Sequence, residues 1–446
     1  MRILWLNSGL LLPLDKGGKL RSWHLLRHLA ERHDVTYLGF SDPSNTPEDL
    51  DGMLEACDDL QTVERRDVPK GSPAFYLDAA KHLADPLPYA VAKYRSPAYR
   101  RRLAALLASA SWDAVICDFL VPAVNMPAAL PCPAVIFTHN VEAEIWRRHA
   151  ETEQRPLRRL LLRAQWQRML RFEGATLRRF DEILAVSDTD RDTFERLYAV
   201  PRRTVRVIPT GVDTAYFAPQ PHVRPDPFRL VFTGSMDWLP NEDGVLHFCR
   251  EVLPRLRQAE PRISLAIVGR NPTPAIRRLA ESSQGIEVTG RVDDVRPHVV
   301  AAALSIVPLR IGGGTRLKIY ESMAMGRAVA STTVGAEGLP LTPGVHIALA
   351  DEPAALSNEI LRLLRDETAR RAMEEAGLAL VRQRYDWAAV AGVLEESVHS
   401  AAAARAAATR RAPAPAATPV PVPAVSPLSI NDGPATGRAA RRRIAS

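Results

Sequence analysis

Residues 308–332, PLRIGGGTRLKIYESMAMGRAVAST, join a triple glycine to two cations and a carboxylate within one strand-loop-helix unit. The apolar run Ala303 to Leu309 reads as a buried strand, and Gly312, Gly313 and Gly314 would let backbone N–H groups approach a ligand closely. A helix starting near Thr315 would set its positive dipole end beside them. Arg316 and Lys318 add charge, and Glu321, one helical turn beyond Lys318, can accept hydrogen bonds from a diol such as a ribose. Phosphate donors, two cations and a diol acceptor together suit a sugar nucleotide. An ordinary α/β connection with a glycine turn and solvated charges has the same local pattern, so the remainder of the chain has to decide.

Other segments carry matching chemistry. Lys16-Gly17-Gly18 stands between a first strand and a helix over Leu20–Ala30, where glycines permit close approach of a ligand or of a facing domain, or make a plain tight turn. The loop THNVEAE, 138–144, puts His139, Asn140, Glu142 and Glu144 at the carboxyl end of a strand. There an imidazole and carboxylates can bind sugar hydroxyls or handle protons. FTGSMDWLPNEDG, 232–244, follows a strand with Gly234 and opens a helix, so its N–H groups can meet a phosphate; VTGRVDD, 288–294, offers backbone at Arg291 and Val292 to a base edge.

The elements that must position these groups alternate throughout 1–385: apolar runs of five to eight residues separated by amphipathic helical segments, the signature of parallel βαβ units. Strands are expected near 2–8, 35–40, 114–119, 133–138, 182–187 and 205–208, then near 229–234, 264–268, 286–289, 303–309, 328–332 and 346–349. Two doubly wound sheets in succession make two Rossmann-like α/β domains facing a cleft, with the Pro-rich segment 217–228 between the sheets. The first domain is assigned 1–210 and the second 211–385, with a helix over 386–400, capped by Asp386, returning to the first. Residues 401–446, rich in Ala, Pro and Arg, are expected to be disordered.

Composition narrows the class. With 446 residues, 46% hydrophobic and 24% charged, the chain can build cores without disulfides or metals. Cys57, Cys117, Cys132 and Cys249 stand apart from one another and from histidine, as reduced cytoplasmic thiols do. The net charge of +7 lies mostly in the tail, whose seven arginines against Asp432 carry +6 and leave +1 on the other 400 residues. A near-neutral body argues against a nucleic-acid partner. No apolar run reaches the length of a membrane span, and the start MRILWLNSGLLLPLDKGGK reads as a strand entering a loop, since Asn7-Ser8-Gly9 interrupts the apolar run. Arg155 to Arg179 holds eight arginines and one acid, Glu173, interleaved with Leu157, Leu160, Leu161, Met169 and Phe172. Such a surface can rest on anionic headgroups at the inner face of a membrane, or be the solvated side of a packed helix.

VIPTGVDTAYFAP (207–219), FTGSMDWLPNEDG, IVGR (267–270), GRV (290–292) and GGGTRLKIYESMAMGRAVAST together resemble the family 4 glycosyltransferases, retaining enzymes of the two-Rossmann GT-B fold, over roughly 1–400. Within the family the chain is most similar to the branch associated with exopolysaccharide assembly. The resemblance implies a nucleotide diphosphate sugar as donor, a glycan or lipid-linked acceptor hydroxyl, no metal and no cofactor. It places Glu321 on the donor ribose, as second glutamate of an E-x7-E motif, His139 near the transferred sugar, and Gly17 and Gly18 against the donor from the first domain. Two features depart from the family. The first glutamate would fall at Gly313, and the arginine and lysine that many members carry in the first loop of the second domain are Ser235 and Asn241 here. A departing diphosphate still needs positive charge. Arg316 and Lys318 are therefore assigned to it, with Ser235 and the N–H groups of 234–236 as further donors and Gly313 and Gly314 holding sugar hydroxyls. An epimerase on the same scaffold would need extra acid-base carboxylates, for which Glu142 and Glu144 are candidates. A catalytically silent module binding a glycan or a partner protein is the third reading.

Overall fold

The computed structural model describes residues 1–14, 17–69, 71–311 and 317–411. Gly313, Gly314, Thr315 and Arg316 of the expected donor loop lie outside them, as does 412–446.

Two parallel sheets follow one another along the chain. The first has seven strands, β1 Arg2–Leu6, β2 Asp34–Ser41, β3 Asp59–Glu64, β4 Ala114–Asp118, β5 Ala134–Phe137, β6 Glu182–Ala185 and β7 Val205–Val207, in the order β3-β2-β1-β4-β5-β6-β7. The second has β8 Asp226–Thr233, β9 Ser264–Val268, β10 Ile286–Gly290, β11 Ala302–Val307, β12 Ala328–Ser331 and β13 Ala348–Leu349, in the order β10-β9-β8-β11-β12-β13. In each, the chain starts in the interior, winds to one edge, returns and winds to the other. Crevices open at the carboxyl ends where that reversal occurs. Strands such as β4 and β11 are buried at every residue because helices cover both faces, which is why they read as unbroken apolar runs.

Four expectations change. β3, DLQTVE, was not expected as a strand; it is a half-exposed edge, so its polar composition carries no apolar run. Gly17 and Gly18 belong to the first turn of the helix Gly17–Ala30, not to a loop ahead of it. The N–H groups expected at 234–236 are mostly occupied, since Gly234 donates to Val268 O at 2.9 Å and Met236 to Arg270 O at 2.9 Å, leaving Ser235 among the described residues. The tail, expected to be disordered from 401, continues as helix: Trp387–Arg411 is one element. Ala401 is fully buried, and Arg405 donates to the carbonyls of Leu130 and Cys132 and pairs with Asp181 at 3.4 Å. Alanine is the strongest helix former, and the first proline of the tail is Pro413, beyond this helix.

The returning helix seats Trp387, Val390, Ala391, Leu394 and Val398 in the core of the first sheet beside Trp23, Leu26 and Ile208. All four cysteines are unpaired thiols. No helix among the described residues is long and apolar enough to cross a membrane.

Candidate active site

At the carboxyl edge of the first sheet, Asp118 ends β4 and His139 follows β5. Asp118 is fully buried and accepts hydrogen bonds from Trp5 Nε1 at 3.2 Å, Asn7 Nδ2 at 2.7 Å and His139 Nε2 at 2.8 Å. Because the carboxylate is an acceptor, Nε2 carries the imidazole proton and Nδ1 presents its lone pair. Nδ1 is buried with no protein partner. Burial lowers the His139 pKa, against the opposing pull of Asp118, so the ring is neutral at physiological pH. It stacks on Phe119 with centroids 3.6 Å apart, and Phe119 takes a left-handed φ of 69° to lie there. The stack requires glycine at 18, where a Cβ would stand 2.8 Å from Phe119 Cζ and 3.8 Å from His139 Nδ1. Gly17, by contrast, has open space where its Cβ would be, so this first turn is accessible to a ligand.

His139 is only 7% exposed, lying behind Phe119 rather than lining the cleft wall as expected. The wall is Phe119 and Glu142, which border a cavity of about 800 Å³ with Asn7, Ser8, Lys19 and Tyr94. Glu144 turns away and forms an ion pair with Arg147 at 2.7 Å. Arg21, one turn after Gly18, is buried and donates to Thr210 Oγ1. Burial lowers its pKa to about 10, while Asp118 and Asp190 pull it back up.

The second sheet holds the other half. Gly234, Lys318 and Glu321 share a pocket of about 360 Å³ with Phe217, Thr233, Trp238, Val295 and Leu317. Lys318 Nζ donates to Asn241 Oδ1 at 2.9 Å and sits 4.2 Å from the Phe232 ring centroid. A Cβ on Gly234 would come within 2.7 Å of both Lys318 Nζ and Asn241 Nδ2, so glycine there is what lets the ammonium reach the loop. Lys318, on the helix Leu317–Ala324, thus stands against the side chain at position 241. Glu321 points into the same pocket, and among the described residues its carboxylate has no hydrogen-bond partner. Burial pushes its pKa up to about 7, with Lys318 pulling it down. A half-buried acceptor without a partner among the described residues, one helical turn from a cation, can accept hydrogen bonds from a polar ligand.

Ser235 has its hydroxyl on Asp237, and Arg270 Nε donates to it at 3.0 Å. Arg270 therefore brings a guanidinium to the loop at Ser235. Arg291 is exposed and Val292 half-buried on the loop after Gly290, whose φ is 70°; Gly290 O accepts from Gly269 N at 3.2 Å.

Asp118, Arg21 and Arg270 were not singled out from the sequence. Asp118 left a trace, an acid closing the apolar run AVICD. Arg21 and Arg270 look like ordinary surface cations until the fold brings Thr210 and Ser235 to them.

Two crevices at the carboxyl edges of two parallel-sheet α/β domains, closed by a helix returning to the first, define the GT-B class of glycosyltransferase folds. Solved structures of that class superpose on the chain. HepE of Anabaena, determined with UDP, matches with a TM-score of 0.61 at 15% identity over 90% of this chain and 100% of its own. Sucrose-phosphate synthase of Thermosynechococcus elongatus matches with 0.60 at 17% over 91% and 100%. Two family models match in tandem, Glycosyltransferase Family 4 over residues 17–216 and Glycosyl transferases group 1 over 227–366. The chain belongs to the family 4 glycosyltransferases. A phosphatidyl-myo-inositol mannosyltransferase of Mycobacterium leprae is 29% identical over 192 residues, 41% of this chain and 50% of the relative, so the match spans half of that protein's length.

Proposed function

We propose that this protein transfers a sugar from a nucleotide diphosphate sugar to an acceptor hydroxyl with retention of anomeric configuration, in the assembly of an exopolysaccharide or another cell-surface glycan. The observation that carries the donor assignment is the unpartnered Glu321 carboxylate sharing a pocket with Lys318. In this reading Glu321 accepts from the ribose diol, and backbone at Arg291 and Val292 faces the base. Lys318, Arg316 and Ser235 N–H take up charge as the diphosphate leaves, without a metal or cofactor. Gly313 and Gly314 hold sugar hydroxyls by their N–H groups. His139, neutral and lending Nδ1, accepts from a hydroxyl of the transferred sugar, with Gly17 and Gly18 against its phosphate. The glycosidic bond breaks as the acceptor oxygen bonds the anomeric carbon from the face the phosphate leaves, and that phosphate receives the acceptor's proton. The HepE structures with UDP and with UDP-glucose support such a donor by analogy of fold.

A thermal-shift panel of nucleoside diphosphates and their sugars tests the reading, because a ligand bound only by the folded state raises stability by mass action. A shift in the parent that Glu321→Ala removes is expected; a shift the variant keeps would refute the site. The anomeric configuration of the product, read by NMR, tests retention.

The acceptor is proposed to reach the cavity beside Phe119 and Glu142 as a glycan or a lipid-linked glycan at the inner face of a membrane. In the basic helix Pro156–Leu177, Met169 is buried, but Leu157 and Leu160 are 71% and 64% exposed among Arg158, Arg159 and Arg163. Leu83 is also exposed, its carbonyl accepting from Arg168 further along the same helix at 2.6 Å, with Tyr76 and Leu77 exposed on the helix Pro73–Lys81. Apolar side chains among cations suit anionic headgroups, at about 1 kcal/mol per cation close to the surface. Reversal of Arg158, Arg159 and Arg163 to Glu should strongly reduce sedimentation with anionic liposomes, and equal sedimentation would dismiss the membrane reading while leaving the transferase reading intact.

A further inference from the structure

We infer that Glu173, the single acid of the basic helix, is a positioning residue for His139. Its carboxylate holds the first turn of the helix Glu142–Thr152, and with it the loop on which the imidazole stands.

The side chain is 0% exposed, although the charges around it in sequence are arginines facing solvent. A buried carboxylate without compensation is costly, and an ion pair is the usual remedy. Glu173 uses none. Oε1 accepts from Glu142 N at 2.8 Å, and Oε2 from Ala143 N at 2.9 Å and from the Tyr198 hydroxyl at 2.5 Å. The compensation is a helix N-terminus, where free N–H groups and the macrodipole favour negative charge.

The helix needs this help because it cannot cap itself. Its N-cap is Val141, which has no side-chain acceptor. Serine, threonine, aspartate or asparagine would satisfy the first N–H groups locally; here a carboxylate thirty residues later does so. The start of the helix is therefore set by tertiary structure. At its other end the loop is equally fixed, with Thr138 donating to Leu184 O through its N–H at 2.9 Å and its hydroxyl at 2.7 Å. Val141 is buried between the two anchors. Only His139 and Asn140 remain to turn the chain, so the placement of Nε2 on Asp118 and of Nδ1 beside Gly18 follows from clamps at 138 and at 142–143. Burial pushes the Glu173 carboxyl up to about 7, with the three donors pulling it down and the neighbouring Glu142 carboxylate adding to the rise.

The test compares the full chain with Glu173→Gln, Glu173→Ala and Tyr198→Phe, using amide hydrogen exchange and the imidazole nitrogen NMR signals of His139. Glutamine keeps the volume but turns an N–H₂ toward backbone donors. It is expected to speed exchange at Glu142 and Ala143 at least tenfold and to shift the His139 signals, with amides of the second sheet unchanged. Tyr198→Phe removes one of three donors and should move the same signals less, and it reads the clamp even where Glu173→Ala fails to fold. Parent-like exchange at 142–143 with a parent-like His139 spectrum in Glu173→Gln would overturn the inference, as would loss of protection spread equally over both sheets. Neither readout needs a nucleotide or an acceptor, so their outcome is independent of the transfer reading on which the importance of His139 rests.

Discussion

The two carboxyl edges of this molecule treat buried charge in opposite ways. In the first domain Asp118 and Glu173 each accept three hydrogen bonds from the protein, and His139 Nδ1 has no partner among the described residues. In the second, Glu321 is half-buried with no hydrogen-bond partner among the described residues, and Lys318 shares its pocket. A carboxylate already satisfied builds structure, whereas one desolvated and left unsatisfied stores a cost that a ligand's donors can relieve. At the first edge the carboxylates are satisfied and a neutral imidazole nitrogen remains for a ligand, whereas at the second the carboxylate itself remains.

Mutations can break that contrast. Glu321→Ala should abolish turnover and leave the fold intact, and a purified variant that transfers sugar at the parent rate would show that the second edge is not the donor site. Replacing Arg316 and Lys318 together by Ala should weaken nucleoside diphosphate binding by about 3 kcal/mol or more, roughly 150-fold, since charge-assisted contacts are each worth about 1.5–3 kcal/mol; calorimetry with unchanged affinity would contradict it. Asp118→Asn should do the reverse. It turns an amide N–H₂ toward Trp5, Asn7 or His139, costs about 3 kcal/mol and lowers the melting temperature by about 6–12 °C, while nucleotide affinity stays at the parent value.

The smallest effect is one of pH. The Glu321 carboxyl is raised to about 7 by burial, so its contribution to stability is full below the ordinary carboxylate value and is lost as pH rises through about 7. Diol donors favour the ionised form. Affinity for a nucleotide sugar, whose diphosphate does not titrate there, should therefore rise by up to about tenfold per unit toward pH 7 and then level off. Glu321→Gln should flatten the profile, and a parent profile already flat from pH 6 to 8 would place the carboxylate elsewhere than on the diol.

The fold was legible because interior parallel strands such as β4 and β11 are buried on both faces and apolar throughout, while the edge strands β7 and β10 still carried enough β-branched residues to be read. β3 did not, because an edge strand exposes one side and DLQTVE is dominated by polar residues. The alanines after Ser400 signalled helix by propensity, but the prolines that follow hid the signal in a shared composition. The grouping of Gly234, Lys318 and Glu321 in one pocket was legible, since glycine, cation and carboxylate lie near the ends of apolar strands. Asp118 with Trp5, and Glu173 with Glu142, join positions far apart in sequence, and only the packed sheet brings them together. Local spacing reveals a ligand's contacts more readily than it reveals what holds those contacts still.

The helix returning from the second domain has a mechanical consequence. The chain crosses between domains twice, and the crossings run side by side: Val212 bridges Asp386, Val212 N donates to Tyr385 O at 2.7 Å, and Thr214 Oγ1 donates to Asp386. Trp387 lies flat against Gly211 and stacks on His24, with centroids 4.8 Å apart. Two tethers fastened at one place leave a pair of lobes a single line to pivot on. Any relative movement of the lobes would therefore turn about this seam, and Trp387, packed on Gly211 and His24, sits on it rather than at either pocket.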